Sequence, residues 1–227
     1  MNPETWSAVD RYFSEHLLGA DAVLDATLAA SESAGLPAIA VSPLQGKFLH
    51  LLAQTSSARR ILELGTLGGY STICLARALP ADGKLITLEV EERHAQVARA
   101  NFKRAGLERM IELRLGRAID SLQQLVEERA GPFDLIFIDA DKAGIADYFA
   151  WSLKLARPGT VIVVDNVVRK GAVIDADSTD ASVQGVRRFA GMLAHEPRVS
   201  ATTLQTVGAK GYDGFTLAVV QAPRRGE

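Results

Sequence analysis

Apolar residues recur at three- and four-residue spacing from residue 6 to about residue 55, and then the rhythm changes. "WSAVDRYFSEHLL" (6–18) and "ADAVLDATLAASESAG" (20–35) predict two amphipathic helices, the second broken at Gly35-Leu36-Pro37. "SPLQGKFLHLLAQT" (42–55) predicts a third, with Ser42 as N-cap and Pro43 at the first helical position. From residue 59, short apolar runs alternate with helical stretches. The runs "RRILEL" (59–64), "GKLITLEV" (83–90), "MIELRLG" (110–116), "FDLIFID" (133–139) and "GTVIVVDN" (159–166) predict strands. Between them "YSTICLARALP" (70–80), "EERHAQVARANFKRAG" (91–106), "DSLQQLVEERAG" (120–131) and "IADYFAWSLKLA" (145–156) predict helices, and "ASVQGVRRFAGMLAHE" (181–196) a last one. "RVSATTLQT" (198–206) and "GFTLAVVQA" (214–222) are joined by a glycine-rich loop with no room for a crossover helix, so this pair should be antiparallel.

Repeated strand–helix units with apolar strands predict an α/β fold, a doubly wound, mostly parallel seven-stranded sheet with an antiparallel C-terminal hairpin. A single domain is expected, with residues 1–56 as a helical segment and 57–227 as the α/β core. Ligands on such sheets bind beyond the carboxyl ends of the strands. A formal net charge of -2 gives no reason to expect nucleic acid or an anionic membrane as partner. No apolar run reaches the ~18 to 20 residues of a spanning helix, and "MNPETWSAVD" lacks a signal peptide's basic and apolar regions, so a cytoplasmic protein is expected. The one cysteine, Cys74, excludes an intrachain disulfide and is expected to be buried on its helix.

Candidate chemistry sits at the strand ends. Gly65, Gly68 and Gly69 in "ELGTLGGYST" permit a tight turn and close approach of a ligand to the backbone. The spacing is not the Gly-x-Gly-x-x-Gly of dinucleotide binders. Glu89, about 20 residues further on, can accept both hydroxyl hydrogens of a ribose, and loop plus carboxylate indicate an adenosine-type cofactor. Asp139 closes one strand, and Asp165-Asn166 closes the next. Two carboxylates ~4 Å apart repel by about 4 kcal/mol at an effective dielectric near 20, so a proton or a cation must offset them. Two carboxylates and an amide oxygen suit Mg²⁺, Mn²⁺ or Ca²⁺ over zinc, against the alternative of a capping Asp-Asn turn. Lys142 is either a surface lysine or, beside such a cation, a base whose ammonium form is disfavoured. His16, His50, His94 and His195 are scattered and none is a catalytic candidate.

"ILELGTLGGYST", "FIDADK", "RPGTVIVVDNVVRKG" and "GYDGFTLAVV" in this order resemble the metal-dependent O-methyltransferases of the catechol and caffeoyl-CoA type, particularly their small bacterial members. That resemblance implies a Rossmann-like class I methyltransferase fold, S-adenosylmethionine, Mg²⁺ or a similar ion, a phenolic acceptor with vicinal hydroxyls and a homodimer. By motif, Glu63, Gly65, Ser71, Glu89, Ala118 and Asp141 would contact S-adenosylmethionine. Asp139, Asp165 and Asn166 would ligate the metal, and Lys142 would be the base. The chain departs from the plant pattern near the acceptor: Arg169 and Lys170 replace a Trp and an Asn, Val41 a Thr and Ile145 a Tyr. Arg169 and Lys170 suit either an acceptor bearing a carboxylate or a subunit boundary. The alternatives are an NAD-dependent oxidoreductase on a similar sheet and a non-catalytic cofactor-binding protein.

Overall fold

A computed structural model describes residues 2–223. Three helices come first: α1 (Pro3–Leu17), α2 (Ala22–Ser33) and α3 (Pro43–Thr55). Asn2, Asp21 and Ser42 cap them through side-chain oxygens that accept from free amides of the first turn. The alternating region follows as β1 (Arg60–Leu64), α4 (Tyr70–Ala76), β2 (Lys84–Glu89), α5 (Glu92–Arg104), β3 (Ile111–Leu115) and α6 (Ala118–Glu127). It continues through β4 (Leu135–Ile138), α7 (Ile145–Lys154), β5 (Val161–Asp165), a 3₁₀ segment (Arg169–Ile174) and α8 (Ala181–Ala194), and ends in β6 (Val199–Gly208) and β7 (Gly211–Val220). No helix of the described residues is long and apolar enough to cross a membrane.

The seven strands are ordered β3-β2-β1-β4-β5-β7-β6. The first five run parallel, and β7 is antiparallel to both β5 and β6, a doubly wound Rossmann-like sheet with a C-terminal hairpin. Its central strands are apolar on both faces because helices cover both. Leu62, Leu64, Ile136 and Ile138 pack with Phe149 of α7 and Phe189 of α8. Their neighbours Ile61, Leu135 and Phe137 point the other way, onto Leu49 of α3, Ile73 of α4 and Phe102 of α5. The strand order reverses between β1 and β4, which opens a crevice at their carboxyl ends.

Three local features differ from the sequence expectations. The β6–β7 connection is a two-residue turn, Ala209-Lys210, closed by the Gly208–Gly211 pair, not a longer loop. Helix α4 stops at Ala76, before Pro80, and the 3₁₀ segment is too short to leave a periodic signature.

Candidate functional site

The loop after β1 is shaped by contacts that exclude side chains. Gly65 has φ 97°, and a Cβ there would come within 2.3 Å of the Asp139 carbonyl oxygen. This close approach fastens the end of β1 to the end of β4, helped by the Asp139 amide donating to the Leu64 carbonyl at 2.8 Å. Gly69, at φ 85°, caps α4 where a Cβ would strike the Phe102 ring at 2.4 Å.

Beneath this loop lies Glu63, fully buried. Ser71 Oγ donates to it at 2.6 Å, Thr87 Oγ1 at 2.7 Å, and Thr72 Oγ1 donates as well. Burial pushes its carboxyl up to about 7 against the opposing pull of those hydroxyls. Glu89 ends β2 beside the loop. Its Oε2 accepts from the Leu67 amide (2.7 Å) and the Thr66 amide (3.2 Å), and its Oε1 from the Val90 (2.9 Å) and Glu91 (3.0 Å) amides. His94 Nδ1 stands 3.5 Å from the same Oε1.

At the end of β4, the Lys142 ammonium donates to Asp139 Oδ1 at 2.7 Å, and Lys142 is only 8% exposed. Asp165, at the end of the adjacent β5, is 4% exposed. Gln45 of α3 donates to its Oδ2 at 2.6 Å, and the Asn166 amide to its Oδ1 at 2.8 Å. Burial first, and then the charge of Asp139, push the Asp165 carboxyl up to about 6. Asn166 adopts φ 56°, a left-handed conformation that asparagine tolerates. Asp141 turns elsewhere: it is exposed, accepts from the Gly144 amide at 2.9 Å and takes the Tyr148 hydroxyl.

A cavity of about 900 Å³ joins these parts along the sheet edge, ample for a cofactor-sized ligand. Gly65, Ser71, Glu89, Ala118, Asp139, Asp141, Lys142 and Asn166 all line it. Glu63 and Asp165 do not. The Glu63 carboxylate takes three hydroxyls under the loop and supports the cavity wall from behind. Ser71 reaches the cavity, but its hydroxyl is directed at Glu63. His94, set aside from the sequence, lines the cavity, as do Tyr148 and Arg169. Gln45 is a further residue that the sequence did not single out. The pattern Ser42-x-x-Gln45 reads as a capping box, and Ser42 does cap, but the glutamine side chain turns to Asp165 instead.

The donors around Asp139 and Asp165 fit an oxygen-preferring cation. Burial and the charge of Asp139 on the adjacent strand raise the proton affinity of Asp165, and each carboxylate keeps lone pairs beyond its present partners. Among the described residues no cluster of three or more His, Cys, Asp or Glu suits a metal, so a cation here would need oxygen ligands of other kinds beside the two carboxylates.

Comparison with known proteins adds to this geometry. The O-methyltransferase family model matches residues 20–220. A catechol O-methyltransferase of Niastella koreensis is 58% identical, covering 97% of this chain and 100% of its own length. The O-methyltransferase from Bacillus cereus, solved in complex with SAH, superposes with a TM-score of 0.96 at 59% identity, covering 97% of this chain and 100% of that one. The O-methyltransferase TomG from Streptomyces achromogenes, involved in tomaymycin synthesis and solved with SAM, gives 0.94 at 54% identity, covering 98% and 100%.

Proposed function

The chain belongs to the O-methyltransferase family, and from that premise we propose that it methylates one hydroxyl of a vicinal pair on a catechol-like ring with the help of a divalent cation. It is an S-adenosylmethionine-dependent O-methyltransferase, which sets aside the oxidoreductase and non-catalytic alternatives. The observation that carries the finer reading is the buried Lys142 ammonium on Asp139, beside Asp165, in the same cavity that holds Glu89.

Glu89 and the Thr66 and Leu67 amides it gathers form the ribose end, and Ala118, first residue of α6, borders the base. Asp141 lines the methionine end, with its carboxylate steadied by the Tyr148 hydroxyl and the Gly144 amide. Asp139, Asp165 and Asn166 would hold Mg²⁺ or a similar cation, which acidifies a chelated hydroxyl and disfavours a nearby ammonium. Once its ammonium has given up a proton to water, the neutral Lys142 Nζ accepts the proton of the hydroxyl to be methylated. The walls then keep that oxygen facing the sulfonium methyl: a C–O bond forms as the C–S bond breaks, S-adenosylhomocysteine leaves, and the proton stays on Lys142 until water removes it. The protein's contribution is position and charge, since the sulfonium is already a good leaving group.

The reading also carries one catalytic domain over the whole chain, a cytoplasmic location and a homodimer. Supporting the dimer, α1 has no buried residue and exposes Tyr12, Phe13 and Leu17. A methyl-transfer screen over catechols, hydroxycinnamoyl thioesters and flavonoids, with and without Mg²⁺, tests the proposal. Transfer restricted to vicinal diols is expected; equal transfer to monophenols would count against it.

A further inference from the structure

Arg169 lines the cavity, yet its Nε is buried with no hydrogen-bond partner. None of the ion pairs among the described residues involves it. A buried donor on a charged group without a partner is costly, and native structures rarely leave one without a reason. Its neighbours are spent differently. Arg187 donates to the Val173 carbonyl at 2.7 Å and Arg188 to the Ala143 carbonyl at 2.8 Å, tying α8 to the loops it packs against. Asp213, which holds the backbone of this segment, is engaged there: its Oδ1 accepts from the Val168, Arg169 and Gly214 amides, each at 3.0 Å. Asp139 is taken by Lys142.

The backbone is held in a costly shape to achieve this. Arg169 and Lys170 both adopt left-handed conformations, φ 54° and 55°, followed by Gly171 at φ 91°. Non-glycine residues there persist only where surrounding contacts over-determine them, and Asp213 supplies those contacts. The position along the sheet says which ligand the guanidinium meets. Glu89 ends β2 and Ala118 follows β3, whereas Arg169 follows β5, three strand positions from β2 in the order β2-β1-β4-β5. At ~4.8 Å per strand that is roughly 14 Å from the ribose end. Arg169 therefore shares the end of the cavity with Lys142 and Asn166, and Ile39 and Val41 provide apolar wall for a ring.

Resting on the proposed catechol methylation, we infer that Arg169 is a specificity-determining residue that binds a carboxylate carried by the aromatic acceptor, so that the preferred substrates are anionic catechols. A planar guanidinium pairs with a carboxylate through parallel hydrogen bonds, and the unpartnered Nε is one of the donors available for such a fork.

Two acceptors matched in size, 3,4-dihydroxybenzoate and 3,4-dihydroxybenzamide, isolate the charge. Their dissociation constants are measured on the full chain loaded with S-adenosylhomocysteine, and their kcat/KM values with S-adenosylmethionine and Mg²⁺. The wild type should favour the carboxylate by on the order of 10- to 100-fold in Kd. R169M should abolish that preference, mainly through KM, while S-adenosylmethionine affinity stays within about 3-fold; R169K should keep part of it as a point charge. No preference in the wild type, or an unchanged preference in R169M and R169K, overturns the inference. So does a parallel loss of S-adenosylmethionine affinity in R169M, which would assign the guanidinium to the cofactor's own carboxylate. Failure to methylate either acceptor while the Kd preference persists would instead count against catechol methylation and leave the carboxylate site standing.

Discussion

At the β1–β2 end of the cavity, Glu63 and Glu89 are surrounded by donors from the chain itself, three hydroxyls for one and four amides for the other. At the β4–β5 end, Asp139 and Asp165 make do with one ammonium, one side-chain amide and one backbone amide, and Arg169 Nε has no partner. The difference separates a half that is finished before any ligand arrives from one whose charges wait for other charges. A preorganised half suits a cofactor that is the same in every turnover. The under-satisfied half suits a reaction in which a proton moves and an acceptor must be recognised.

The comparison is broken most severely at Lys142. K142A should lower kcat at neutral pH by on the order of 10²- to 10⁴-fold, the usual contribution of a positioned base. Its S-adenosylmethionine affinity, measured by titration, should stay near wild type; equal losses in both would mean that the two ends are not separate. E89Q addresses the other end. One carboxylate oxygen becomes an NH₂ group facing backbone amides that already donate, so S-adenosylmethionine affinity should fall by about 10- to 100-fold. The loss in kcat at saturating cofactor should be smaller; the reverse pattern would move Glu89 out of the cofactor site.

The mildest change is E63Q, which probes the buried support under the loop. A carboxyl raised from 4.5 to about 7 by folding stabilises the native state below its unfolded value and loses that contribution as pH climbs to about 7. Glutamine is neutral throughout. The difference in Tm between wild type and E63Q should therefore shift against the wild type between pH 4.5 and 7, and level off above that range. A difference that does not vary with pH would mean that Glu63 folds as a charged group.

Much of this was legible from local pattern. Periodicity separated the helical beginning from the alternating core, and the missing crossover between residues 206 and 214 made the last pair antiparallel, as β6 and β7 are. Strand ends identified Glu89, Asp139, Asp165 and Asn166 because polar residues that close apolar strands collect at one edge of a parallel sheet. What local pattern missed is tertiary. Gln45 reaches Asp165 across 120 residues, through the docking of α3 on the sheet, a contact that no local spacing signals. His94 was one of four scattered histidines; only the turn after β2 brings it to Glu89. The three hydroxyls that enclose the Glu63 carboxylate come from α4 and β2, and no local spacing signals that they converge.

The division between the two ends, and the role proposed for the cation, meet in one measurement. Protein stripped with a strong chelator is assayed for methyl transfer to a catechol and, in parallel, for S-adenosylmethionine binding, before and after Mg²⁺ is restored. Transfer should disappear on stripping and return with Mg²⁺, while cofactor affinity changes little. Undiminished transfer from the stripped protein would remove the cation from the reaction.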